Sequence, residues 1–348
     1  MKVLMLLDHA TDYREKFLRE LSEKCDLTVI ADSPENDNLK NNLKSPTERI
    51  GYRYFEFSKT FGKNIRINLE LNKYIKTIRP DIVCVALNVR YPMRVIDFFL
   101  QKNKPYKWVW WGQIFGSIDK YLPGLRLFKK QLVRQSDGTL VYTEEIKEKL
   151  SDSNVLSFNN SQFSKNEFHE IENTFNKELH CLFVGRPQVR KRLDLIFEIA
   201  KRRQDVKFRL VGPNMDSFFN SKSLPANVSL YPAAYGETLK DHFKWSNLVV
   251  NPGHVGLLVM NAAAHNRPIA IGENVNHAPE VLLAKESNQF FLDFENDALI
   301  DGFFDKVQKK PSLLKRKGDL NFKIAIENYT IEKMVERHMQ MFNKVLLH

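Results

Sequence analysis

Short apolar runs that stop at turns constrain this chain more than any other feature. Val3–Leu7, Asp26–Ile30, Ile82–Ala86, Trp108–Trp111 and Gly138–Tyr142 carry little polar alternation. Amphipathic stretches separate them: Tyr13–Glu23, Asn68–Thr77, Tyr121–Gln135 and a helix start at Glu144–Leu150. A strand apolar along its whole length must be covered on both faces, and a parallel sheet flanked by helices meets that need. After the polar, Asn-rich stretch Asn154–Lys177, read as an interdomain linker, the pattern resumes. Leu179–Val184, Phe208–Val211, Val228–Leu230, Leu248–Val250, Ile269–Ile271 and Phe290–Leu292 follow, and a helix from Thr330 to Leu347 ends the series. The chain therefore reads as α/β, with two doubly wound parallel-sheet domains over 1–165 and 178–328. The terminal helix, 329–348, is expected to pack back towards the first domain. A length of 348 residues exceeds one ordinary core and agrees with two.

Composition narrows the class. Hydrophobic residues at 43% and charged residues at 27% describe a globular chain. No apolar run approaches the ~20 residues that span a bilayer. The start, MKVLMLLDHATDY, has no small-residue cleavage site and reads as a first strand, so a cytoplasmic location is expected. Cys25, Cys84 and Cys181 are too scattered for a disulfide or metal pattern and read as buried thiols. The net charge of +11 is spread over both halves, which favours anionic partners in general: phosphates, nucleotides or acidic lipid. No zinc-finger or RNP sequence is present, so nucleic acid is not an expected partner.

Ligands of such sheets bind beyond the carboxyl ends of the strands. In the first half the turns at those ends are Asp8–Asp12, Asn88–Tyr91, Gly112–Ser117 and Thr143-Glu144. No G-x-G-x-x-G follows the first strand, so no nicotinamide dinucleotide site is expected there. The sequence WWGQIFGS is either a packed aromatic strand with a tight turn or a wall of a cleft, with Gln113 and Ser117 donating. In PGLRLFKKQLVR, Arg126, Lys129, Lys130 and Arg134 form either a solvated basic face or a contact with an anionic membrane.

The second half holds the stronger chemistry. NPGHVGLLVMNAAAHNRPIAIGENVNHAPE, residues 251–280, runs from a strand end through a Gly-containing turn into a helix expected from Val255 to His265. A helix start carries unpaired donors and partial positive charge, which suit a diphosphate. Gly185-Arg186 ends another strand, with Lys191 five residues on. Two cations at one strand end, one of them a bidentate fork, make a second anion-binding element.

These stretches resemble a known family in order. FVGRPQVRKRLDLIFEIA resembles the FVGR…K…D-L-L…A segment of retaining glycosyltransferases of glycosyltransferase family four. FRLVGP resembles that family's L-V-G-x-G-P turn, and GLLVMNAAAHNRPIAI resembles its G-L-x-x-L-E-A-M-A-x-G-x-P-V-I. WWGQ and QSDGTLVYTE are similar to passages of relatives encoded with bacterial surface polysaccharides. The resemblance implies a GT-B fold, with two Rossmann-like domains facing a cleft. It implies Arg186 and Lys191 as the catalytic clamp on the donor diphosphate. It implies a donor site of Gly185, Gly212, Pro213, Gly253, His254, Val255, Gly256, Leu257, Asn261 and Glu280. His9 and Gln113 would stand on the acceptor side. The family's paired glutamates fall at Gly253 and Asn261, so both carboxylates are missing, as in a P-G-x-x-G-L subset of relatives.

The implied reaction is retaining transfer from a nucleotide-diphosphate sugar to a glycan hydroxyl, in capsule, O-antigen or lipopolysaccharide synthesis. It needs no metal and no cofactor, because two cations and a helix start take the leaving charge. The acceptor would be free or lipid-linked, with a peripheral contact on the inner face of the membrane. A sugar-nucleotide epimerase or hydrolase, or a non-catalytic binding subunit, remains the alternative.

Overall fold

The computed structural model describes residues 1–32, 48–57, 65–100, 104–116, 122–175, 178–219 and 224–347. Its chain divides into two compact units: Met1–Gln162 with Ile331–His348, and Phe163–Thr330. The first unit contains β1 (Lys2–Leu6), β2 (Asp26–Ala31), β3 (Arg53–Glu56), β4 (Ile82–Ala86), β5 (Lys107–Gly112), β6 (Gly138–Val141) and β7 (Val155–Ser157). Its helices are α1 (Asp12–Ser22), α2 (Leu71–Ile78), α3 (Pro92–Leu100), α4 (Pro123–Gln135) and α5 (Glu144–Leu150). The strands pair in parallel in the order β3-β2-β1-β4-β5-β6-β7.

The second unit contains β8 (Leu179–Val184), β9 (Val206–Val211), β10 (Val228–Tyr231), β11 (Leu248–Asn251), β12 (Ile269–Gly272) and β13 (Phe290–Leu292). Its helices are α6 (Leu193–Arg202), α7 (Met215–Phe219), α8 (Gly236–Trp245), α9 (Leu258–Ala264), α10 (Val281–Glu286), α11 (Asp297–Lys309) and α12 (Ser312–Asn328). The order β10-β9-β8-β11-β12-β13, again parallel, is the doubly wound arrangement. The expected class therefore holds in both halves. The last helix, α13 (Ile331–Leu347), belongs to the first unit.

Strand burial explains the parallel pairing. All five residues of β4 are buried, and in β1 only Lys2 is exposed. Successive side chains go to opposite faces. Val3, Met5, Val29, Cys84 and Trp111 pack on one face with Met334, Met341, Phe342 and Val345 of α13. Leu4, Leu6, Ile30, Val83 and Trp110 pack on the other with Leu71 of α2 and Leu132 of α4. All three cysteines are buried free thiols.

Two buried polar side chains fix chain segments. Trp111 Nε1 donates to His338 Nε2 at 2.9 Å, and His338 Nδ1 donates to the Met334 carbonyl at 2.7 Å, which leaves a neutral ring at the centre of α13. In the second unit, Arg267 is 1% exposed and donates to the carbonyls of Phe243 (2.8 Å), Ile171 (2.7 Å) and Glu172 (3.2 Å). It thereby ties part of the stretch read as linker onto its own sheet. The beginning of that stretch is not linker at all: Val155–Ser157 is the edge strand β7, paired with β6.

Burial pushes the imidazoles of His338 and His265 down, to about 3 and about 4. An ordinary imidazole titrates near about 6.5. Both rings therefore stay neutral in the fold and charge more readily in the unfolded chain. Unfolded protein takes up the extra protons once pH drops below about 6.5, so the stability of the neutral rings is lost progressively towards about pH 3. Urea unfolding midpoints should fall between about pH 7 and about pH 4, and His338→Gln should remove roughly one proton from that dependence. An unchanged dependence in the variant would show that His338 does not titrate this way.

Candidate functional site

Strand order reverses direction between β8 and β11, so the loops following these two strands emerge side by side. Gly253 N–H donates to the Lys191 carbonyl (3.0 Å) and His254 N–H to the Arg190 carbonyl (2.7 Å). These two bonds lock the loops edge to edge. A Cβ at Gly253 would lie 2.2 Å from Arg190 O and 2.5 Å from the Lys191 carbonyl carbon. No side chain fits there without separating the loops, so position 253 cannot hold a glutamate on this backbone. Gly212, at the end of β9, approaches Gly185 O in the same way: a Cβ would stand 2.0 Å away.

Lys191 lies in the 3-10 turn Val189–Lys191 just before α6 and is half-buried. Its Nζ donates to the His254 carbonyl at 2.6 Å. Burial, followed by the neighbouring Arg190 charge, pushes its ammonium down to about 8. An ammonium in that condition is stabilised by an arriving anion. Arg186 is exposed on the same loop, and Pro213 is half-buried beyond Gly212.

The turn before α9 is held from its far side. His277 Nε2 donates to Gly272 O (2.7 Å), and its Nδ1 accepts the Val255 N–H (3.2 Å). His254 Nδ1 donates to Asn276 O at 2.6 Å. Burial is the first cause that lowers the pKa of both rings. Helix α9 begins at Leu258, three residues later than expected. The Val255 amide is thus already engaged, and the donors open to an anion start at Gly256 and Leu257. First-turn N–H groups have no acceptor within their own helix. Asn261 Nδ2 donates back to Leu257 O at 3.1 Å. Glu280, half-buried at the start of α10, is close enough to influence His254 electrostatically. The loop-locking role of His277 was not evident in HAPE, because its partners are backbone atoms of distant turns.

In the first unit, a cavity of about 530 Å³ opens where strand order reverses between β1 and β4. His9 and Gln113, two turns apart in sequence, both line it. His9 Nδ1 bonds the Asp32 carbonyl at 3.2 Å. Asp8, also on the wall, accepts from buried Arg94 Nη1 (2.5 Å) and from Asn88 Nδ2 (2.8 Å). Ser117 lies outside the described residues. Sequence reasoning passed over Arg14, Arg90 and Arg94. Among the described residues no cluster of His, Cys, Asp and Glu could hold a metal, and no helix is long and apolar enough to cross a membrane.

No protein-family model and no curated protein sequence matches this chain. Its structure resembles sucrose-phosphate synthase from Thermosynechococcus elongatus, with a TM-score of 0.73 at 12% identity, covering 100% of this chain and 99% of that one. A glycosyltransferase from Rickettsia africae matches with a TM-score of 0.69 at 12% identity over 99% and 98% of the two chains. Anabaena Alr3699/HepE in complex with UDP matches with a TM-score of 0.68 at 12% identity over 99% and 100%. The fold is that of the GT-B glycosyltransferases.

The loop ladder generates a stability test. Gly253→Ala should destabilise the protein by about 1–3 kcal/mol, the usual range for an overpacked site. Thermal melting of the variant checks this, and an unchanged midpoint would show that the loops are free to part.

Proposed function

We propose that the protein is a glycosyltransferase that moves a sugar from a nucleotide-diphosphate donor to a glycan hydroxyl, with retention at the anomeric carbon and no need of a metal. One observation carries this reading: Lys191, half-buried with a lowered pKa, sits on the His254 carbonyl where the two switch-point loops interlock. In this reading the anomeric C–O bond breaks and charge develops on the β-phosphate. Lys191 Nζ and the Arg186 fork neutralise that charge, with the amides leading into α9. Such preorganised charge stabilisation is often the largest catalytic contribution. Asn261 Oδ1 accepts from a ribose hydroxyl, and Glu280 brings a carboxylate close enough to act on His254. The structural match to HepE in complex with UDP supports a uridine nucleotide as the first donor to try.

We assign the product to bacterial surface polysaccharide, with an acceptor presented at the membrane. Helix α4 supports this placement. Its Leu127 is 69% exposed and its Phe128 41% exposed, beside Arg126, Lys130 and Arg134. Apolar side chains amid cations suit an anionic bilayer surface. Co-sedimentation with vesicles should be strong with anionic lipid and should fall in Leu127→Asp and at high salt. Equal pelleting with neutral vesicles would remove the membrane from the proposal.

The central test is incubation with a panel of nucleotide sugars, with and without glycan acceptors. Nucleoside diphosphate release only with acceptor, and product with the donor's anomeric configuration, is the expected result. Release without acceptor would identify a hydrolase, and tight binding without turnover a binding subunit. Lys191→Ala and Arg186→Ala should each lower kcat by about 10²–10³. Because an adjacent diphosphate raises the Lys191 pKa, binding takes up a proton. Affinity should be full below about pH 8 and decline above it, and Lys191→Ala should abolish that decline. A wild-type affinity flat through that range would contradict the assignment.

A further inference from the structure

A second cavity of the first unit lies at the other end of its sheet. Asp81 directly precedes β4, Lys107 opens β5 and Asp137 directly precedes β6, and all three line a space of about 720 Å³. Ligands of a doubly wound sheet belong beyond the opposite, carboxyl ends of the strands, so this cavity stands apart from the cleft chemistry. The carboxylates on its described wall are engaged within the fold. Asp81 Oδ2 accepts the Lys2 N–H (2.7 Å), while Asp137 accepts the Trp108 N–H (2.7 Å) and pairs with Lys107 Nζ (3.5 Å).

Three donors on the same wall are poorly matched by acceptors. Tyr106 is 8% exposed and Trp108 1% exposed. Tyr106 Oη and Trp108 Nε1 are buried, and neither has a hydrogen-bond partner among the described residues. Most buried side-chain polar atoms are paired, and an indole N–H can only donate. Leaving such donors unsatisfied is costly. Lys104 Nζ reaches the Phe98 carbonyl at a long 3.3 Å and otherwise faces rings, 4.5 Å from the Trp108 centre and 5.3 Å from that of Tyr106. Burial pushes its ammonium down to about 8, against the pull of Asp137 and then Asp97. Burial, with Asp97 adding to it, pushes the Tyr106 phenol up, so that hydroxyl keeps its proton. Asp97 is itself buried, accepts from Asn72 Nδ2 at 3.0 Å and is raised by its burial.

We propose that this cavity binds a small apolar carboxylic acid, whose carboxylate takes hydrogen bonds from Lys104 Nζ, Tyr106 Oη and Trp108 Nε1. The hydrocarbon body lies against Phe99 and Leu346, which line the cavity and are 39% and 41% exposed. A carboxylate offers two oxygens and about four lone-pair sites, enough for all three donors. Its single charge answers one ammonium. A phosphate ester would bring up to two charges and meet Asp81 and Asp137 on the same wall. A neutral hydroxyl would leave the half-buried ammonium without a counter-charge. The volume falls in the range of about 300–1,000 Å³ usual for small-molecule pockets and is far more than a bare acetate fills. A straight-chain fatty acid and an arylalkanoic acid share this chemistry. The site does not depend on the glycosyl-transfer reading, since its residues take no part in that reaction.

The test is calorimetric titration of the full chain with octanoate and with phenylacetate, and with octanol, acetate and octyl phosphate as controls. At least one of the two acids should bind, and each control should bind at least about tenfold more weakly. Octanoate alone identifies a fatty acid as the occupant, and phenylacetate alone an arylalkanoic acid. Tyr106→Phe removes a hydroxyl that has no partner, so the fold should be as stable as before while acid binding weakens about threefold or more. Lys104→Met should weaken it about tenfold. The arriving carboxylate holds the Lys104 proton, so wild-type affinity should be full below about pH 8 and decline above it, and Lys104→Met should remove that decline. In a nitrogen-15 correlation spectrum the Trp108 indole signal, identified by its loss in Trp108→Phe, should move on titration. No binding of either acid would overturn the proposal. So would octanol or octyl phosphate binding as tightly as octanoate, equal binding by wild type and both variants, or an indole signal that stays in place.

Discussion

The contact between Gly253 and the Arg190 carbonyl governs the chemistry of the second unit. It is shorter than any side chain allows, and two backbone bonds hold it in place. Because the loops interlock there, Lys191 Nζ meets the His254 carbonyl. The same contact excludes a carboxylate at position 253. The seat of Lys191 on that carbonyl and the lack of a side chain at position 253 are therefore two results of one steric fact.

Arginines organise both units through groups that are not simple ion pairs. Arg94 reaches Asp8 and also the carbonyls of Ala86 and Leu7, joining the ends of β1 and β4. Arg66 pairs with Asp32 at 2.6 Å, with both side chains fully buried, and Tyr91 Oη donates to the same carboxylate. Arg267 meets carbonyls alone, and burial lowers its pKa to about 10. A buried guanidinium needs several acceptors in one plane. Each of these residues therefore fixes the turns around it, and those that Arg94 fixes, at Leu7–Asp8 and at Ala86, line the cavity of His9 and Gln113.

The strands inside the sheets were legible because their side chains are buried on both faces; Ile82–Ala86 is the clearest case. The edges were not. Strand β3 is held by backbone pairing to β2 while its side chains are largely exposed, so Arg53–Glu56 shows no apolar run. Strand β7 is three residues long, too short for a recognisable apolar run inside the polar stretch that contains it. Helix α3, PMRVIDFFL, hides buried Arg94 and Asp97 among apolar residues that are partly exposed. For the candidate donor site, sequence order located the glycines and cations. It did not reveal which amides were engaged, because the Val255 N–H is taken by a histidine from another turn. Arg14 looked like one charge on an amphipathic helix; that its Nη1 is buried without a partner among the described residues is a property of three dimensions only.

The Trp111–His338 bond joins residues 227 positions apart and fastens the last helix into the first sheet's core. A ribosome makes that helix after the rest of the first unit and after the whole of the second. Residues Phe163–Thr330 form an unbroken segment and can close their core as soon as they emerge. The first unit, although begun earlier, keeps Trp111 and the apolar face beneath α13 uncovered until α13 itself leaves the exit tunnel. The order in which the two units begin is thus reversed in the order in which they are completed.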